Sequence, residues 1–239
     1  MLSPALVARR GWWRALDYAY VLRRQLDGLL HRGGDERYLT RAPHAVADVL
    51  LLPGVYESWH FLRPAADLLH SRGHVVHVVP ALGYNRQPVA RAAALVGEHL
   101  AQHDLRDVVL VAHSKGGLIG KLAMLRYDPE GRISSLVAVN TPFAGSSYAR
   151  WVPLAAVRAF VPTDATLVAL AAEAEVNSRI TSVYSRWDPH IPAGSRLAGA
   201  TNVELATPGH FRALADPALI ETLLAAVGGA HPDGGEARG

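Results

Sequence analysis

Residues 108–127 read VVLVAHSKGGLIGKLAMLRY. The run Val108–Ala112 is apolar without alternation, the pattern of a strand buried on both faces of a parallel sheet. From Lys115 onward Leu118, Ile119, Leu122 and Ala123 recur at helical spacing. Ser114 therefore sits on an abrupt turn from strand into helix. At such a corner the hydroxyl is thrust outward and its neighbours must be small, room that Gly116 and Gly117 supply. The helix N-terminus behind it favours developing negative charge. A serine so placed is a candidate nucleophile.

The same rhythm extends outward along the chain. Short apolar runs at Val46–Leu52, Val75–Val79, Leu136–Val139, Ile180–Tyr184 and Asn202–Leu205 predict further strands. Helix-like segments lie between or beyond them at 59–72, 89–103, 115–127 and 213–227. Repeated strand–helix units predict an α/β fold, a mostly parallel sheet with helices on both faces. Residues 143–179 break the rhythm: longer than an ordinary connection, and carrying WVPLAAVRAFV and TLVALAAEAEV, they predict a small helical cap.

Chain order then supplies partners for Ser114. After the Ile180 strand comes SRWDPHIP, with Asp188 at the strand's C-terminal end. After the Asn202 strand comes ATPGHF, with His210 in a loop ahead of the last helix. Strand C-terminal ends are where open α/β sheets build their sites. The serine corner, with Ala112 where Gly-x-Ser-x-Gly has its first glycine, resembles the nucleophile elbow of the α/β-hydrolase superfamily, in particular its small bacterial serine lipases and esterases. NTPFAGS, residues 140–146, resembles the stretch after the sixth strand in such lipases, and it offers no acid. The resemblance covers residues 44–228. It implies an acyl-enzyme on Ser114, His210 as general base and acid, and Asp188 as the residue orienting the imidazole. It also implies an oxyanion hole from the backbone N–H of Lys115 and of a residue in LLLPGVYESW, where Val55 is assigned and Tyr56 is the alternative. The Lys115 ammonium is expected near the triad, lowering the pKa of His210. His190 shares its loop with the acid, which disfavours it as the base, and His113 reads as a packing residue.

Function hypotheses of two classes follow. The first is a serine hydrolase acting on a small-molecule ester with an apolar acyl chain, the apolar cap being the reason. Thioester or amide cleavage, or acyl transfer, would use the same residues. The second is a non-catalytic binding protein on the same fold. No cofactor or metal is expected.

Composition narrows the field. The 239 residues are 50% hydrophobic and 19% charged, with a net charge of +3 and no cysteine. The missing cysteines exclude disulfides, Cys-ligated metals and Cys nucleophiles. Residues 1–43 carry eight arginines against four acids, leaving the remainder at −1. A nucleic-acid partner is disfavoured by that near-neutral body. No run reaches the roughly 18 apolar residues of a membrane span, and MLSPALVARRGWW lacks a signal-peptide core, so a cytoplasmic location is expected. Within 1–43, residues 14–32 space Leu16, Ala19, Leu22, Leu26, Leu29 and Leu30 as an amphipathic helix. Two roles stay open for residues 1–32: peripheral contact with an anionic membrane, or a helix docked on the hydrolase body through its leucines. The Gly-rich tail 229–239 is expected to be disordered.

Overall fold

The computed structural model describes residues 3–31, 34–40 and 47–228. The expected disorder of 229–239 and the boundary at residues 43 and 44 fall outside them. Six strands form one sheet: β1 (Asp48–Leu52), β2 (Val75–Val78), β3 (Val108–His113), β4 (Ile133–Val139), β5 (Ile180–Ser185) and β6 (Thr201–Leu205). Their spatial order is β2-β1-β3-β4-β5-β6, and every neighbouring pair is parallel. The six predicted strands are these six, each shifted by no more than a few residues. Side-chain alternation divides the core into two layers. Leu50, Leu52, Leu110 and Ala112 face one layer with α3 (Val89–Gln102) and α4 (Lys115–Arg126). Val49, Leu51, Val109 and Val111 face the other, with α2 (Arg63–Ser71) and α7 (Pro217–Gly228). Because both faces are covered, the central strands show continuous apolar runs, whereas edge strand β6 exposes Thr201 and Glu204.

The order reverses between β1 and β3, since β2 lies outside β1 and every later strand lies on the β3 side. A crevice opens at the C-terminal ends of strands at such a switch point. It is flanked here by the 53–58 loop after β1 and by Ser114 after β3. Residues 143–179, the segment read as a cap, contain α5 (Ala155–Arg158), α6 (Ala165–Ala172) and single 3₁₀ turns at Ser147–Trp151 and Asn177–Arg179.

The N-terminal helix α1 (Pro4–Leu30) is longer than the sequence pattern predicts, because Ser3 caps it and Pro4 starts it. Its orientation is also inverted. Leu22, Leu26 and Leu29 are 62%, 47% and 52% exposed, while Asp17, Arg24 and Gly28 are buried. Docking through the leucines is thus overturned. The most deeply buried side chains of the inward face are polar, and several of its polar groups find partners: Tyr20 donates to the Phe61 carbonyl at 2.9 Å, and Arg24 Nη1 pairs with Asp27 at 2.8 Å. Gly28 lets the helix approach closely, since a Cβ there would stand 2.8 Å from Ser58 Oγ.

Candidate active site

Ser114 leaves β3 with φ 50° and ψ −117°, a strained conformation for a residue with a side chain. The room around it is as the sequence requires: a Cβ on Gly116 would lie 2.1 Å from the Leu52 carbonyl oxygen, and one on Gly117 2.0 Å from Thr141 Oγ1. Ser114 lines a cavity of about 440 Å³ together with Val55, Tyr56, Glu57, His190 and His210. Its remaining wall is mostly apolar and includes Val152, Leu154, Val157 and Phe160 from the cap. Among the described residues, neither the Val55 nor the Lys115 N–H is spent on a protein acceptor. Tyr56 stands at φ 60°, and Gln25 of α1 donates to its carbonyl at 3.0 Å.

Asp188 and His210 meet. His210 Nδ1 donates to Asp188 Oδ2 at 2.6 Å, and Asp188 Oδ1 accepts the N–H groups of His190 and Ile191 at 2.7 and 3.1 Å. Burial pulls the His210 pKa down, but the Asp188 charge and hydrogen bond outweigh it, with smaller help from Glu57 and Asp17, and the net shift is upward. Burial pushes Asp188 upward in turn, and the His210 charge and hydrogen bond reverse that, leaving it below the usual carboxylate range. Both shifts favour an imidazolium–carboxylate pair. His190, whose ring centroid is 5.0 Å from that of His210, has the Tyr18 hydroxyl 3.4 Å from its Nε2 and, among the described residues, no other side-chain hydrogen-bond partner. Burial, then repulsion from His210, pushes its pKa down to about 4. The carboxylate separates the two histidines: only His210 has one to hold its tautomer.

Lys115 departs from expectation. Its side chain is buried away from His210, and Nζ donates to the Asn85 and Gln87 carbonyls at 2.8 and 2.5 Å. Desolvation pushes its pKa down to about 8. The expected lowering of His210 by this ammonium is therefore overturned.

Four groups to which the sequence assigns no part in the site, Asp17, Asn140, His113 and Glu57, surround the candidate residues. Asp17, fully buried on α1, accepts the backbone N–H groups of His210, Phe211 and Arg212 at 2.9, 2.8 and 2.9 Å. Gly209 makes this approach possible, as a Cβ there would lie 2.6 Å from Asp17 Oδ1. Asn140 donates to the His210 carbonyl at 2.7 Å. His113 is more than packing: its Nε2 lies 3.0 Å from that same carbonyl, and its Nδ1 lies 2.9 Å from both oxygens of Glu57. Glu57 also accepts the Gly54 N–H at 2.9 Å. This buried pair ties the loop after β1, the residue before Ser114 and the His210 loop into one unit. Helix α1 adds a further brace, where Trp13 packs on Trp187, beside Asp188, with ring centroids 5.5 Å apart. One of only two acids amid the arginines of α1, with no cation three or four residues after it, Asp17 carried that much signal in the sequence. Among the described residues, no group of three His, Asp or Glu stands where it could hold a metal ion, and no helix is long and apolar enough to cross a membrane.

No protein-family model matches the chain, and no curated protein is detectably similar in sequence. Solved structures are similar in fold. An extracellular α/β-hydrolase from a Paenibacillus species superposes with a TM-score of 0.54 at 17% identity, over 75% of this chain and 98% of that one. The mature form of a Bacillus licheniformis lipase gives 0.58 at 14%, over 78% and 93%. A Paleococcus ferrophilus monoacylglycerol lipase gives 0.53 at 16%, over 75% and 94%. The chain has the α/β-hydrolase fold, and folds of this kind host many chemistries.

Proposed function

We propose that this chain is a serine hydrolase that cleaves carboxylic esters through Ser114, His210 and Asp188. The observation that carries the reading is the 2.6 Å bond between His210 Nδ1 and Asp188 Oδ2, in a loop lining the same cavity as a serine strained onto a strand–helix corner. With Nδ1 engaged, His210 Nε2 is the nitrogen free to take the Ser114 proton as Oγ attacks the ester carbonyl. The Val55 and Lys115 N–H groups stabilise the oxyanion, the role that preorganised donors play in acyl transfer. The imidazolium returns its proton to the leaving alcohol, and a water, activated by the same nitrogen, hydrolyses the acyl-enzyme. The Asp188 charge stabilises the imidazolium in both halves. The apolar cap wall supports an ester with an apolar acyl chain as substrate, and the lipase neighbours agree with that choice.

Fluorophosphonate labelling with intact-mass measurement is the test, paired with hydrolysis of p-nitrophenyl esters of graded chain length. One adduct on wild type, none on Ser114→Ala, and turnover that falls by several orders of magnitude in that variant are expected. Labelling of Ser114 without ester turnover would point to another acyl chemistry. Absence of labelling, or residual turnover within about tenfold of wild type, would reject the reading.

A further inference from the structure

Helix α1 buries a polar face and leaves an apolar one in water, the reverse of an ordinary surface helix. Trp12, Ala15, Ala19, Leu22, Leu26 and Leu29 follow one another at alternating three- and four-residue spacing, and all six are exposed. At about 1.5 Å per residue the 27 residues of α1 make this a long stripe. The charges beside it have one sign. Every exposed charged residue of α1 is an arginine (Arg9, Arg14, Arg23), while Asp17 is buried under the His210 loop and Asp27 is paired with Arg24. The stripe also continues to the cavity. Tyr18, on its edge, lines the cavity mouth, facing Tyr148 and Leu154 of the cap. Tyr148 and Leu154 are themselves exposed, as is Trp151 beside them. Arg14 reaches the groove between Tyr18 and Tyr148.

We propose that α1 seats the protein on an anionic lipid bilayer, its stripe in the boundary between headgroups and acyl chains and its three arginines against lipid phosphates, with the cavity mouth toward the lipid. An apolar face whose exposed charged neighbours are all arginines, with a tryptophan near one end, suits such a surface. A second copy fits less well. Three exposed arginines against one half-buried acid already paired with Arg24 leave the flanks of the stripe net positive, so two copies would bring like charge together. Only the direction of the mouth rests on the hydrolase reading; the docking does not.

The experiment is co-sedimentation of the full chain, with Ser114→Ala alongside, using vesicles of phosphatidylcholine alone or mixed with phosphatidylglycerol. It is run near 0.01 M salt, where charges act over about 30 Å, and near 1 M, where they act over about 3 Å. Binding is expected only with phosphatidylglycerol and only at low salt, equally for wild type and Ser114→Ala. Arg9→Gln with Arg23→Gln should weaken it roughly 25-fold, about fivefold for each arginine. Leu22→Glu with Leu26→Glu should abolish it. Both pairs change exposed side chains, so the melting temperature and turnover of soluble short-chain esters should stay at wild-type values. Indifference to anionic vesicles at low salt would overturn the proposal, as would binding that neither pair reduces. A concentration-dependent dimer that Leu22→Glu dissolves, without vesicle binding, would overturn it in favour of a second copy. Loss of esterase activity with intact vesicle binding would reject the hydrolase reading and leave the docking standing.

Discussion

Asp17→Ala tests whether the histidine loop depends on α1. The wild-type carboxylate accepts three backbone N–H groups at 2.8–2.9 Å from a fully buried position. A hydrogen bond to a charged acceptor is worth about 1.5–3 kcal/mol, so three set a ceiling of roughly 5–9 kcal/mol. Water and loop relaxation recover part of that, and the expected loss is about 3–5 kcal/mol. For a domain of this size that lowers Tm by roughly 6–20 °C. Asp17→Asn refines the test. Oδ1 serves Phe211 and Arg212 while Oδ2 serves His210, so an amide that keeps the first oxygen turns its NH₂ toward the His210 N–H. One bond is lost, costing about 1.5–3 kcal/mol, and the loss falls on the residue proposed to act as base. A displaced imidazole should lower kcat/KM on a soluble p-nitrophenyl ester by up to about 100-fold in Asp17→Ala. The paired readouts are a melting curve and kcat/KM, the latter measured well below Tm. If Asp17→Ala melts within about 2 °C of wild type and keeps its kcat/KM, the loop holds itself and the argument from α1 fails.

The other predictions concern the candidate site. Asp188→Asn should lower kcat by about 10³–10⁴-fold, whereas Asp216→Asn, whose carboxylate caps the Ala218 N–H, and Asp128→Asn, which serves Arg132 and Ile133, should leave turnover nearly intact; a silent Asp188→Asn would remove the acid assignment. The base must be neutral to act, and His210 is raised above its ordinary 6.5, so activity should fall with acidification through a midpoint above 6.5; a lower midpoint in the kcat/KM profile would contradict the pairing with Asp188. Lys115→Met should leave that midpoint unmoved, because Nζ points to Asn85 and Gln87. Its effect should appear in stability. The lysine is charged in the unfolded chain up to its ordinary 10.5 but only to about 8 when folded, so the unfolded state binds more protons between those values, and wild type should gain on Lys115→Met as pH rises from 8. Denaturant titrations at stepwise pH would show a constant gap if the lysine were solvated.

The sheet could be read from sequence because burial on both faces removes alternation, leaving runs such as Val108–Ala112 that admit few other structures. Ser114 was legible for a local reason, since two glycines and a strand–helix change sit within four residues of it. Asp188 and His210 followed from chain order, and the structure brings them together. Helix α1 was misread because an amphipathic pattern reports which face is apolar, not which face is buried. Its inward residues are satisfied by partners far along the chain: Asp17 by His210, Tyr20 by Phe61, Gln25 by Tyr56. The Glu57–His113 pair was hidden for the same reason, being 56 residues apart. The direction of the Lys115 side chain depends on carbonyls about 30 residues away, which spacing beside Ser114 does not reveal.

The bond from Asp17 to His210 spans 193 residues, and that separation sets a timetable. A ribosome adding about 5–20 residues per second makes α1 roughly 10–40 s before the loop it holds. Through that interval the carboxylate has none of its native donors, and the helix rests on local interactions and on its contacts to residues 56–61. Long-range closure is also the slow part of folding, because loop entropy is spent before the contact returns anything. The histidine loop thus settles late, and a nascent chain that already carries the serine corner waits nearly a hundred residues more for the histidine proposed as its base.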